Sequence, residues 1–123
     1  MDSRRIDDDP LRFLPLSPQQ FHILLALVES ERHGYAIIQD VESRTDGALR
    51  MGTGTLYTAI ARLVELELLV ESGRRDERRR FYRLTPLGRA VLKAETGRLE
   101  MMVRHARERG IRPSPAPALP RRS

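Results

Sequence analysis

Proline placement constrains this chain more than any other feature. Between Leu16 and Arg109 the only prolines are Pro18 and Pro86, whereas Ile111–Ser123 alone holds four. Each of the two internal prolines follows a residue suited to capping a helix, Ser17 or Thr85. Proline fits the first helical turn because the N–H it lacks has no intrahelical acceptor there. Ser17 with Gln20 fits a capping box, and Leu16 with Phe21 fits a hydrophobic staple. Two helix starts are thereby expected, and the proline-poor stretch between them is where a folded domain belongs.

Apolar periodicity fills in the rest. The first helix is expected over Pro18–Ser30, with Phe21, Leu24, Leu25 and Val28 inward. A break at Glu31–Gly34 precedes a second helix over Gly34–Arg44, burying Ile37, Ile38 and Val41. Thr45–Gly47 reads as a turn and Ala48–Met51 as a short extended piece. A third helix begins near Gly52–Thr55, with Leu56, Ala59, Ile60, Leu63 and Leu66 on one face. Its other face, Thr55, Tyr57, Thr58, Ala61 and Arg62, is small, hydroxylated and free of acid until Glu65. Leu68–Ser72 and Arg80–Thr85 read as strands joined by a loop, Gly73–Arg79, longer than most hairpin loops. The last helix starts at Pro86 and continues to about Arg109, with Leu87, Ala90, Val91 and Ala94 closing the core. Farther along, Leu92, Leu99, Met102, Val103 and Ala106 form an apolar stripe that outlasts the domain and needs a partner.

Composition narrows the function classes. There is no run of about 18 apolar residues to span a membrane, and Met1–Pro10 is charged and lacks the apolar segment of a signal peptide. The absence of cysteine excludes disulfides and thiolate metal sites. These features lead us to expect a cytoplasmic protein. His22, His33 and His105 are scattered without metal-ligand spacing, and Gly52–Thr55 lacks the Lys-Ser/Thr ending of a phosphate-binding P-loop. No catalytic residue, metal or cofactor is expected. The net charge of +5 is concentrated: Arg74–Arg83 carries six arginines against Asp76 and Glu77.

Three helices, a hairpin and a long helix, in that order, make a winged helix-turn-helix. The fold class expected is mainly α (α+β), with a two-stranded wing and a long C-terminal dimerisation helix. Residues 1–15 are read as a flexible N-terminal arm and 16–85 as the winged domain. Residues 86–109 are read as the dimerisation helix, and 110–123 as a disordered tail. A mild-faced helix or a basic loop means little alone; adjacent in this order, they read as one DNA-binding unit. The rival reading is a winged-helix protein-interaction module, whose exposed faces would be apolar or acidic.

Gly34–Tyr35–Ala36–Ile37, Gly54–Thr55–Leu56–Tyr57, Arg62–Leu63 and Arg79–Gly88 together resemble the signature of the PadR family of transcription regulators. The resemblance spans roughly Leu16–Arg109. It implies a homodimer whose C-terminal helices pack across the two-fold axis, a DNA contact at Tyr57 and a backbone-supporting role at Tyr35. Thr58 stands where the family usually has proline, which leaves the individual base contacts open. The single C-terminal helix resembles the compact branch of the family. Some members of that branch bind flat aromatic drugs through a tryptophan, which this chain lacks; an effector is left open.

The expected function is therefore sequence-specific regulation, by repression, from a pseudo-palindromic duplex operator bound by a homodimer. Thr53, Thr55, Tyr57, Thr58 and Arg62 are expected to face DNA. Arg75, Arg78, Arg79 and Arg80 hold the wing to phosphates, with Tyr35 in support. Leu92, Leu99, Met102, Val103 and Ala106 are assigned to the dimer seam.

Overall fold

A computed structural model describes residues 9–114, apart from the side chain of Arg75. The arm expected at 1–15 and the tail expected at 110–123 therefore lie partly outside the described residues. A short 3-10 helix, Pro10–Phe13, is followed by α1 (Pro18–Ala26), β1 (Arg32–His33), α2 (Gly34–Arg44), α3 (Thr53–Glu65), β2 (Leu69–Asp76), β3 (Arg79–Leu84) and α4 (Pro86–Glu108). The strands form one antiparallel sheet in the order β1-β3-β2.

Local chemistry sets the helix starts. The Ser17 hydroxyl accepts from the Gln20 N–H at 3.1 Å while the Gln20 side chain accepts from the Ser17 N–H at 3.0 Å, a complete capping box. Thr85 caps α4 by accepting from the Gly88 N–H at 2.9 Å. The end of α1 is set by tertiary contacts instead. The helix stops at Ala26, four residues before the expected Ser30. Side chains take the terminal carbonyls: Arg32 Nε donates to Ala26 O and Arg89 Nη2 to Val28 O, both at 2.9 Å. The released chain forms β1 where only a break was expected, and pairs Arg32 with Tyr82 and His33 with Phe81. Ala48–Met51 forms no strand; the chain bends at Ala48 and Leu49, where Thr45 Oγ1 accepts from the Leu49 N–H at 3.1 Å.

The core is the meeting of α1, α2, α3 and the base of α4 with the sheet. Ile23, Leu24, Leu27, Ile37, Val41, Leu56, Ile60, Leu63, Leu68, Leu69 and Val91 are all buried. In α1 the inward face is Ile23, Leu24 and Ala26, while Phe21, Leu25 and Val28, expected inside, are only half-buried. The helix touches α2, α3 and α4 at once, so its buried surface is broader than a single stripe.

Two further differences shape the molecule. From Asp9 onward the expected flexible arm is docked. Phe13, Leu14 and Leu16 pack on the core, and the Leu16 N–H donates to Glu95 Oε2 at 2.9 Å. Glu95 is buried and also receives Arg98 through two bonds, at 2.5 and 2.9 Å. The Arg98 hydrogen bonds hold the Glu95 carboxyl below its ordinary range, outweighing the opposing effect of burial, with the Leu16 amide adding to them. Beyond Glu95, α4 leaves the domain: Leu99, Met101, Met102 and Val103 are 38–52% exposed. Leu92, assigned from sequence to the dimer seam, is instead buried in the core of its own domain.

Candidate nucleic-acid interface

The third helix owes its position to Leu56, Ile60 and Leu63, which bury one side against the core. Thr53 in the first turn and Thr55, Tyr57, Thr58 and Arg62 farther along are all exposed. Arg62 makes an exposed ion pair with Glu65 at 2.7 Å, an interaction weak enough in water to yield to a stronger anion. No acidic side chain occurs between Thr53 and Val64.

The wing differs from the expected long loop. Strands β2 and β3 continue to a two-residue turn at Glu77–Arg78, closed by the Asp76–Arg79 pair. The residues expected as loop are largely strand. The pairing shifts between Glu71 and Arg75, so that three residues of β2 stand opposite one of β3. Gly73, at φ +87°, supplies the left-handed backbone that this bulge requires. Such a bulge bends the hairpin and re-aims its tip.

Not all wing arginines are equally free. The Arg74 guanidinium lies 4.3 Å from the centre of the Phe81 ring and 3.7 Å from Glu31, so it braces the wing base. Arg80 is 4.0 Å from Glu71. Among the described residues neither Arg78 nor Arg79 has a carboxylate partner, and both are exposed. Arg79 Nη1 lies instead 3.2 Å from His33 Nε2. Of the Arg75 side chain nothing is described; its backbone pairs with Arg80.

The helix face and the wing meet across one cleft of about 310 Å³, lined by His33, Gly34, Tyr35, Tyr57, Arg78, Arg79, Arg80 and Tyr82. Three tyrosines and three arginines thus converge from α2, α3, β3 and the turn that precedes it. Tyr35 is 61% and Tyr57 42% exposed, whereas Tyr82 is buried. Burial raises the Tyr82 phenol above its ordinary value, so it remains a neutral hydroxyl. The seat of Tyr57 depends on Gly34. A Cβ at Gly34 would collide with the Tyr57 hydroxyl oxygen and stand 2.8 Å from its Cζ. Gly34 therefore lets the phenol lie directly against the first turn of α2.

Sequence reasoning singled out Tyr35, Tyr57 and the arginines but not the residues packed around them. His33 was passed over as an isolated histidine, although it caps α2 by accepting from the Ala36 N–H at 3.2 Å. The supports at Gly34 and Tyr82 were also missed. The available signal was adjacency, since His33 and Gly34 immediately precede Tyr35. Among the described residues, no group of three His, Asp or Glu side chains is placed to hold a metal. Within those same described residues no helix is long and apolar enough to cross a membrane.

A helix-turn-helix pair whose second helix leads into a basic two-stranded wing defines a winged-helix domain of the DNA-binding regulator class. Residues 23–94 match the transcriptional regulator PadR-like family, and the chain belongs to that family. It is 36% identical over 87 residues to the transcriptional regulator Rv3488 of Mycobacterium tuberculosis, covering 69% of this chain and 78% of that one. Among solved structures, a transcriptional regulator from Clostridium thermocellum superposes with a TM-score of 0.64 at 28% identity, covering 73% of this chain and 87% of its own. A PadR family transcription regulator from Clostridium difficile shares the fold, with a TM-score of 0.62 at 20% identity over 75% of this chain and 97% of its own.

Proposed function

We propose that the protein is a homodimeric repressor that holds a pseudo-palindromic duplex operator, one α3 helix in the major groove of each half-site. The observation that carries this reading is the single cleft in which Tyr57 of α3 faces the wing arginines. Thr53, Thr55, Tyr57, Thr58 and Arg62 approach base edges and nearby phosphates, and Tyr35 supports the backbone contact. Arg75, Arg78, Arg79 and Arg80 grip phosphates, which fixes register without carrying sequence information. Specificity then rests with the small hydroxylated face of α3, whose threonines admit close approach to the groove.

The two-fold arrangement rests on the free half of α4. Leu99, Met102 and Val103 are exposed on a helix about 35 Å long, with Ala106 half-buried beside them. An apolar stripe of this kind is stable in water when a second copy covers it. The symmetry of such a dimer requires half-sites about one helical turn apart, or a multiple of it. Repression follows when the bound operator overlaps the site where transcription starts.

Selection of random duplexes on the purified protein tests the reading. A pseudo-palindromic consensus is the expected product. Absence of enrichment would favour a protein-interaction role for the winged domain, and a lone asymmetric half-site would contradict the dimeric mode.

A further inference from the structure

His33 stands where three elements meet. It ends β1, caps α2, and packs its ring edge-on against Phe81 of β3 with centroids 5.3 Å apart. Its two ring nitrogens have different neighbours. Nδ1 lies 3.2 Å from the backbone nitrogen of Ala36, and Nε2 lies 3.2 Å from Arg79 Nη1. Both neighbours are hydrogen-bond donors. A neutral imidazole has one N–H and one acceptor nitrogen, so it accepts only one of these two bonds.

The choice between them follows from burial. The Ala36 amide belongs to the first turn of α2, where no intrahelical acceptor exists, and its bond to His33 is partly buried. Arg79 is exposed, and its guanidinium has other N–H groups and free access to water. The capping bond therefore takes the acceptor nitrogen and the proton resides on Nε2. Burial, and next the Arg79 charge, hold the His33 imidazole below its ordinary value; Asp76 opposes this and Arg74 adds to it. The neutral ring is thus the form present at neutral pH, and its Nε2–H and Arg79 Nη1, two donors 3.2 Å apart, leave a spot that only an added acceptor satisfies.

That spot lies in the cleft shared with Arg78, Arg80, Tyr35 and Tyr57, at the N-terminal end of α2. Two adjacent donors, one of them cationic, beside a helix N-terminus match the oxygens of a single anionic group. Resting on the interface described above, we propose that His33 donates its Nε2–H to the same DNA backbone phosphate that Arg79 grips. His33 thereby joins α2 to the wing through the DNA, and the capping bond is what aims its proton.

The test separates capping from phosphate contact. Asparagine caps helices well but is too short to carry the Nε2 donor. His33→Asn is expected to keep the α2 cap and a cooperative melt, lowered only by the lost ring contact with Phe81, and to bind a short fluorescent duplex about tenfold more weakly, the scale of one hydrogen bond to a charged group. Arg79→Ala in the His33→Asn background is expected to cost less than Arg79→Ala alone, because both residues serve one phosphate. Nitrogen NMR of the wild-type ring gives a readout that needs no variant. It is expected to show the Nε2–H tautomer in the free protein and a slowed exchange of that proton on adding duplex. Wild-type affinity in His33→Asn, additive losses with Arg79→Ala, or an Nδ1–H tautomer would each overturn the proposal. In those cases an intact loss on Tyr57→Ala would leave the wider interface standing. If the wild-type protein holds no duplex at all, both readings fail together.

Discussion

Replacing Gly34 by alanine isolates the contact that seats Tyr57. The added Cβ would overlap the phenol oxygen, stand 2.8 Å from Cζ and reach 3.3 Å from Leu56 Cδ2. If the ring stayed, overpacking would cost about 1–3 kcal/mol. But Tyr57 is 42% exposed and has open solvent to turn into, and Gly34 has no left-handed backbone that alanine would resist. Alanine also restricts the unfolded chain, which stabilises by about 0.4–1 kcal/mol at a compatible site. The ring should therefore yield, and the net change in stability should stay within about 1 kcal/mol. DNA binding should fall nonetheless, because the phenol no longer faces the wing arginines. A lost contact of about 1.4 kcal/mol is tenfold in affinity. The assay is a double-mutant cycle by fluorescence anisotropy on Gly34→Ala, Tyr57→Ala and the double variant. Gly34→Ala should weaken binding about as much as Tyr57→Ala, and the double variant should be no weaker than Tyr57→Ala. Equal losses from Gly34→Ala in both backgrounds would refute the reasoning, since glycine would then act on DNA without Tyr57.

Other outcomes follow from the same geometry. Converting Arg75, Arg78, Arg79 and Arg80 to alanine should weaken binding to every duplex and flatten its salt dependence by about 0.9 per lost phosphate contact; an unchanged slope in a mobility-shift titration would remove the wing from the interface. Leu99→Glu with Met102→Glu should yield a monomer by sedimentation, because burying each such side chain contributes roughly 1.5–3 kcal/mol, and a variant that remains dimeric would move the seam elsewhere. Stability should decline as pH falls below about 6.5. His22 and His33 both have folded-state values lowered from 6.5, chiefly by burial, so the unfolded chain binds protons first and their contribution, complete above 6.5, is lost on acidification through the folded values. Urea titrations at pH 7.5 and 5.5 check this, and the drop should shrink when both histidines are replaced.

Much of the fold was legible because its signals are local. Ser17 and Thr85 set helix starts through partners three residues away, and those bonds form as the sequence implies. The alternation of α3 likewise follows from Leu56, Ile60 and Leu63. What escaped depended on distant residues. The end of α1 rests on Arg32 and Arg89, the latter 61 positions from the carbonyl it binds. A two-residue strand such as β1 has no periodicity to read. The outer part of the wing, Gly73–Arg79, reads as a loop because arginines and Gly73 mask a strand interrupted by a bulge. Leu92 shares a helical stripe with Leu99, and only the docking of the 3-10 segment and α1 beside α4 separates the core-facing residue from the free one. In the site, residue types were visible but their supports were not. Gly34 and Tyr57 are 23 positions apart, and nothing in either segment announces their contact.

The central claim is that α3 and the wing form one DNA-binding surface, with the free half of α4 reserved for a second copy. Amide NMR of the labelled protein titrated with duplex selected from the random pool tests it most directly. The account predicts perturbations concentrated at Thr53–Arg62, His33–Tyr35 and Arg74–Arg80, with little change from Leu99 to Arg109. Perturbations centred on α4, or confined to the wing while α3 stays silent, would contradict it.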